Sequence, residues 1–349
     1  MSSDVAHLVS YRALKLTSWP GWSGPMGQEM RARELKQLLT QAAKLTRAQR
    51  EQVLAHLGTG LALDRAKAIV EDRLAQHLGC PKCQAQHVVR NGQAGGLQRY
   101  KCRGCGCTFN ALTGTPLARL RYRDKWVEQA QTMNDGLSVR KAAAAMDVHR
   151  TTAFRWRHRF LALPRDVKAD KLAGVAEADE TYVLRSYKGQ RRKLLAEQAR
   201  KPRHRGGKAA KRGLSDEQVP ILVLRNRAGQ TTDHVLEVAN KRCVARVMKP
   251  ALADDAVLCT DGSGMLAAVA SDLGIEHHAV NTLRGEYTRG AWHIQNVNAY
   301  HGRFKQWMRR FNGVATSYLP NYLGWFRALD RNAQSGAKPA SLLALAVGA

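Results

Sequence analysis

With 349 residues, 44% of them apolar, the chain is long enough for two or more compact units with cores of their own. Its 56 Lys and Arg against 28 Asp and Glu give a formal charge of +28 and a pI near 10.4, an excess that points to a polyanionic partner. With no run of about 18 apolar residues, and no charged-then-apolar leader in residues 1–14, the expectation is a cytoplasmic protein with no membrane partner.

Residues 1–27 mix Gly, Pro, Ser and two Trp without helical period and are expected to form a loosely docked arm. Residues 28–78 form a helical region. Leu35, Leu38, Leu39 and Ala42 share one helix face, and Thr46 caps a second helix expected to reach Leu57. Its basic side is either a solvated face or a grip on DNA.

Two Cys-x-x-Cys pairs follow, Cys80-Pro-Lys-Cys83 and Cys102-Arg-Gly-Cys105, with 18 residues between them. In a reduced compartment such pairs read as metal ligands, and two tight turns aiming two thiolates each suit a structural Zn²⁺ in a tetrahedral four-sulfur site. Residues 79–110 are therefore expected to form a zinc ribbon that depends on its metal. Cys107, Cys243 and Cys259 are left over as thiols.

Residues 111–165 read as a helix-turn-helix. Helical segments at 124–132 and from Ser138 precede the short Asp147-Val148-His149 turn and a third helix over 150–160. In that last helix Ala153, Trp156 and Phe160 face inward. Thr151, Thr152, Arg155, His158 and Arg159 then lie outside, placed for the major groove and its phosphates. An ordinary helical hairpin with a basic side would show the same core.

Beyond Pro164 the pattern changes to strands at 175–183, 219–225, 231–238, 256–260 and 275–280, with helices at 241–252, 265–273, 294–310 and 319–330. Three strands in succession and then alternating strands and helices make a mixed α/β domain over 166–333. An insertion at 185–216 is strongly basic, with a dozen Lys or Arg in 185–212 and one acidic residue, and is expected to lie along phosphates or to be a solvated arm. Residues 334–349 are expected to be a tail.

Three polar residues stand out in this domain. Asp179 interrupts a strand-like run, where a buried carboxylate calls for a cation; Asp261 ends an apolar strand at the edge where α/β sheets present ligands. Asn298 sits on the long helix, with Lys305 seven residues on, almost two turns later and on the same face. Singly, each has an ordinary alternative: a strand cap, an Asp-Gly turn, a surface helix residue. Together they supply the hard oxygen ligands that Mg²⁺ or Mn²⁺ prefers, and two such ions about 4 Å apart suit an in-line phosphoryl transfer.

The array of zinc ribbon, helix-turn-helix and Asp179-Glu-Thr, followed by Cys259-Thr-Asp-Gly262 and the stretch from His293-Ile-Gln-Asn to Phe304-Lys305, resembles a family of bacterial insertion-sequence transposases. So do Arg310-Phe-Asn-Gly-Val-Ala-Thr316 and Tyr318-Leu-Pro-Asn-Tyr-Leu-Gly-Trp325; the likeness runs from about residue 78 to 328 and leaves out the N-terminal helices. The resemblance implies a multidomain chain ending in an RNase H-like catalytic domain. It implies an enzyme that binds terminal inverted repeats of double-stranded DNA as a homo-oligomer, frees 3′-hydroxyls by metal-assisted hydrolysis and transfers them to target DNA. It also implies a third metal ligand that is Glu in some branches and Asn in others, with Lys or Arg seven residues later.

In this chain no glutamate follows Glu286. Glu286 itself stands in the loop-like Arg284-Gly-Glu-Tyr-Thr-Arg-Gly290, and its seventh successor is His293, so Asn298 is favoured as the third ligand. A neutral amide is a weaker ligand than a carboxylate. Two rivals therefore stand beside the transposase: a DNA-binding regulator with a vestigial catalytic fold, and an RNase H-like nuclease without strand transfer. His301, one turn beyond Asn298, is either an aid at the site or a helix-surface histidine, and Glu180 is expected to point to the opposite side of the strand from Asp179.

Overall fold

The computed structural model describes residues 32–76, 79–190, 215–281, 284–333 and 339–348, with 192, 196, 207, 209 and 210 between them. The arm expected at 1–27 and most of the basic insertion lie outside the described residues. Two compact units emerge, residues 1–58 and 59–349, a division that falls within the region expected to be one helical domain.

In the first unit, α1 (Ala32–Ala43) buries none of its residues and leaves Leu35, Leu38 and Leu39 exposed. Helix α2 (Arg47–Gln76) starts at a capping box: Thr46 Oγ1 accepts from the Gln49 amide and Gln49 Oε1 accepts from the Thr46 amide. It does not stop near Leu57. Ala66, Val70 and Leu74, spaced by four, make a buried stripe in the second unit together with Leu97 and Phe109 of the ribbon, which carries the helix past Gly58 and Gly60.

The ribbon is an antiparallel sheet of β1 (Val88–Ala94), β2 (Leu97–Cys102) and β3 (Thr108–Asn110) in that order. Three helices follow: α3 (Trp126–Asn134), α4 (Val139–Ala145) and α5 (Arg150–Phe160). Ser138 Oγ caps α4 by accepting from the Lys141 amide, and the turn into α5 passes through a left-handed Asp147, φ 48°. Ala142, Ala143, Met146, Ala153 and Trp156 form the core of this unit, as the pattern implied.

A mixed five-stranded sheet builds the last domain. Its strands are β4 (Val175–Leu184), β5 (Gln218–Asn226), β6 (Thr231–Val235), β7 (Val257–Thr260) and β8 (Glu276–Ala279), in the order β6-β5-β4-β7-β8. The β6-β5-β4 half is antiparallel, and β7 and β8 join parallel to β4. Strand alternation divides the side chains into two cores. Ala176, Ala178, Leu222, Leu224 and Leu258 pack with α6 (Lys241–Ala251) and α7 (Gly264–Asp272). Ile221, Val223 and Cys259 pack with α8 (Gln295–Arg309) and α9 (Leu319–Ala333), which follow the small hairpin of β9 (Thr288–Arg289) and β10 (Trp292–His293).

The expected tail contains a helix, α10 (Pro339–Val347), whose Leu342, Leu343, Ala346 and Val347 are buried in the cluster that holds Trp126, Met133 and Phe160. Being apolar all round, it carries no period to read. The helix-turn-helix and the sheet domain thus share one core. Trp325 Nε1 of α9 donates to Met133 O of α3 at 3.0 Å. Arg157 of α5, 1% exposed, donates to Leu137 O and lies 5.0 Å from the Trp325 ring centroid.

Backbones approach closely at Gly324 of α9, where a Cβ would clash with Arg165 Cα and stand 2.6 Å from Pro164 O, both backbone atoms. We expect Gly324→Ala to destabilise the fold by about 1–3 kcal/mol, the cost of overpacking against rigid backbone, read as a lower urea midpoint. An unchanged midpoint would contradict this packing.

Candidate metal centres and nucleic-acid interface

Cys80 and Cys83 turn beneath the ribbon and face Cys102 and Cys105, with the four sulfurs within 4.8 Å of one another. Cys80 Sγ is 3.6 Å from Cys105 Sγ, and Cys83 Sγ is 3.6 Å from Cys102 Sγ. Tetrahedral Zn–S bonds of about 2.3 Å separate sulfurs by about 3.8 Å, so the thiols fit one zinc ion. Against the cost of burial, the amides of Cys83 and Lys82 pull the Cys80 thiol down to about 6, toward the thiolate that a metal needs. Cys107 stands outside the group.

Asp179 lies mid-strand on β4, opposite Val223 of β5. On its other side β4 pairs parallel with β7, Glu177 beside Cys259. Carrying that register two residues forward puts Asp261 beside Asp179, on the same face at the carboxyl end of β7. Each aspartate spends one oxygen locally: Asp179 Oδ1 accepts from the Glu180 amide at 2.9 Å, and Asp261 Oδ1 from the Ser263 amide at 2.9 Å. Burial, and then the charge of Asp179, push the Asp261 carboxyl above the usual range. Two adjacent carboxylates, each with a second oxygen free of backbone bonds, make a hard donor set suited to Mg²⁺ or Mn²⁺.

Helix α8 is fastened across this face by Glu177, whose side chain is fully buried. Glu177 Oε2 accepts from the Val297 amide at 2.8 Å, and Oε1 accepts from Asn296 Nδ2 at 2.8 Å and from Arg227 at 2.6 Å. A carboxylate among the orphan amides of a helix start is well placed against the helix dipole. Two residues along a strand span about 6.6 Å and four along a helix about 6 Å. His301 accordingly comes level with Asp179, its Nδ1 3.5 Å from Asp179 Oδ2. It is 6% exposed, not the surface histidine that the sequence also allowed. Asn298, one turn earlier, and Lys305 are exposed on the same helix. Register sends Glu180 to the other face of the strand from Asp179, and burial, and then Asp179 and Asp261, push its carboxyl up to about 7.

On α5, Thr151, Arg155 and Arg159 are exposed and Thr152 is half-buried; Arg159 also donates to Ala118 O at 3.0 Å. His158 is the correction. It stacks on Tyr318 with centroids 3.9 Å apart, shares a hydrogen bond with Asn321 Nδ2 at 3.0 Å and faces the catalytic-domain side of α5. Helical spacing alone put it outside because the partner surface comes from residues 160 positions later. Burial, and then the Arg157 cation, hold His158 down to about 4 from the usual 6.5. The unfolded chain therefore takes up its proton first, and stability present above pH 6.5 is lost as pH falls toward 4, by at most about 3 kcal/mol. His234, also held near 4 by burial and then Lys168, adds a second such loss. We expect His158→Phe to shrink the fall in Tm between pH 7 and pH 4.5; an unchanged fall would contradict a buried neutral imidazole here.

Comparison with known proteins agrees with this layout. Residues 171–327 match the ISXO2-like transposase domain family, residues 77–106 the InsA N-terminal domain, a zinc ribbon, and residues 118–165 a homeodomain-like domain. An uncharacterized protein in transposable element ISH50 of Halobacterium salinarum is 28% identical over 267 residues, 75% of this chain and 88% of that protein. A solved pre-cleavage Mos1 transpososome aligns with 65% of this chain and 75% of its own at 11% identity, with a TM-score of 0.23. No helix among the described residues is long and apolar enough to cross a membrane. Over these stretches the chain is similar to insertion-sequence transposases that carry a zinc ribbon and a helix-turn-helix ahead of an ISXO2-like transposase domain.

Proposed function

We propose that the chain cuts DNA at the terminal inverted repeats of its element and joins the freed 3′-hydroxyls to target DNA. The observation that carries this is the pair Asp179 and Asp261, adjacent across parallel strands, with Asn298 and Lys305 on the helix that crosses them. The strand order β6-β5-β4-β7-β8, with β5 antiparallel, supports an RNase H-like reading of the domain.

Divalent ions, when bound, would activate an attacking oxygen and stabilise a leaving one. Asp179 and Asp261 would hold them with the oxygens not engaged by the backbone, and Asn298 would add a neutral amide oxygen. Lys305, about 10 Å along the helix from Asn298, would meet a phosphate of the bound strand. Residues 79–110 and 111–165 would recognise the ends, Arg155, Thr151, Thr152 and Arg159 reading or gripping the groove. The basic stretch at 185–216 would add salt-dependent affinity. Bringing two ends together calls for a homo-oligomer, acting on cytoplasmic, nucleoid-associated DNA.

Nicking of a terminal inverted repeat in Mg²⁺ tests this, with a fall of at least about 10³-fold expected in Asp261→Ala while end binding persists. Binding without cleavage in any metal would make the chain a regulator with a vestigial site. Cleavage without joining of pre-cut ends would make it a nuclease.

A further inference from the structure

His301 is placed in neither the zinc ribbon nor the ligand trio, and its surroundings give it a task. We propose that His301 is a positioning residue that holds the Asp179 carboxylate in the orientation needed to take a divalent cation. The inference rests on the reading of Asp179 as a metal ligand given above.

The Asp179 carboxylate is flanked at both oxygens. The Glu180 amide donates to Oδ1 at 2.9 Å, and Oδ2 faces His301 Nδ1 at 3.5 Å. Two lone pairs turned on each other repel, so the imidazole tautomer that suits this facing pair carries its proton on Nδ1. With the Glu180 amide bound to Oδ1 and the imidazole standing against Oδ2, the carboxylate has little room to swing about its terminal bond. A ligating carboxylate is ordinarily held in this way by a neighbour behind it.

The ring itself is firmly fixed. It is 6% exposed, and it lies between Val297, whose amide is bound to Glu177, and Phe304, which is buried in the shared core. Its Nε2 is buried and has no hydrogen-bond partner among the described residues. A residue present only to fill the core would be better served by an apolar ring, since an unpaired buried nitrogen costs about 1–3 kcal/mol. The cost is understandable where the other nitrogen serves a charged ligand.

The test is Mn²⁺ binding by the full-length chain, followed through the electron paramagnetic resonance signal of the free ion. Three variants are compared: Asp179→Asn, His301→Phe, which fills the ring volume without a donor, and His301→Asn, whose amide keeps a donor near the Nδ1 position. Thermal unfolding and end-DNA affinity are measured in parallel. We expect Mn²⁺ affinity to fall about 10–100-fold in His301→Phe with Tm and DNA affinity retained, and to stay within about threefold in His301→Asn. Unchanged Mn²⁺ affinity in His301→Phe, or an equal loss in both His301 variants, would overturn the assignment while leaving Asp179 a ligand. Unchanged Mn²⁺ affinity in Asp179→Asn would overturn the ligand reading and the role of His301 with it. Collapse of the fold in both His301 variants would make the histidine a core residue only and end the proposal.

Discussion

Glu177 is a carboxylate with no solvent exposure, a position that costs several kcal/mol unless every lone pair is met. It is met by Arg227, by the side chain of Asn296 and by the backbone amide of Val297 at the start of the long helix α8. That bond sets which residue of α8 stands against which residue of β4. Once Val297 is tied to Glu177, the pitch of a helix and the rise of a strand carry His301 to Asp179 and leave Asn298, one turn earlier, exposed. Parallel pairing of β4 with β7 then brings Asp261 alongside. A slip of one residue in β7 would turn Asp261 to the opposite face and separate it from Asp179. The candidate catalytic centre is therefore a consequence of one helix clamp and one strand register.

A second consequence of the packing concerns reach. In many multidomain proteins the DNA-reading unit hangs on a linker, but here its last helix is built into the core of the sheet domain. Arg157 is sandwiched with Trp325, His158 stacks on Tyr318, and α10 closes over α3 and α5. The exposed side of α5, with Thr151, Arg155 and Arg159, is held at a set orientation to the aspartates. In the function proposed above, end recognition and cutting would be coupled by this geometry, with no need for a hinge between them.

Much of this was readable in the sequence because it is written in local periods. The three helices of the helix-turn-helix, the sheet strands and α8 follow from spacings of 3.6 and 2 and from caps such as Ser138. The cysteine pairs announce their own geometry. What escaped is what depends on distant partners. Glu177 looks like any strand residue until Val297, 120 positions on, arrives at it. His158 and His301 look like surface residues until Tyr318 and Asp179 cover them. Helix α10 reads as a tail because apolar residues around the whole helix erase the period, and α2 runs through two glycines because the ribbon pays with buried area for the last four turns.

In the proposed site Asp179, Asp261 and Asn298, from three separated parts of the chain, share one divalent ion or ion pair. Iron-directed backbone cleavage reads this directly: Fe²⁺ is bound in place of Mg²⁺, ascorbate and peroxide are added, and the fragments are mapped. The account predicts cuts clustered near residues 179, 261 and 298 that fade together as Mg²⁺ is added in excess. Cuts elsewhere, or cuts near the two aspartates with none near 298, would contradict it.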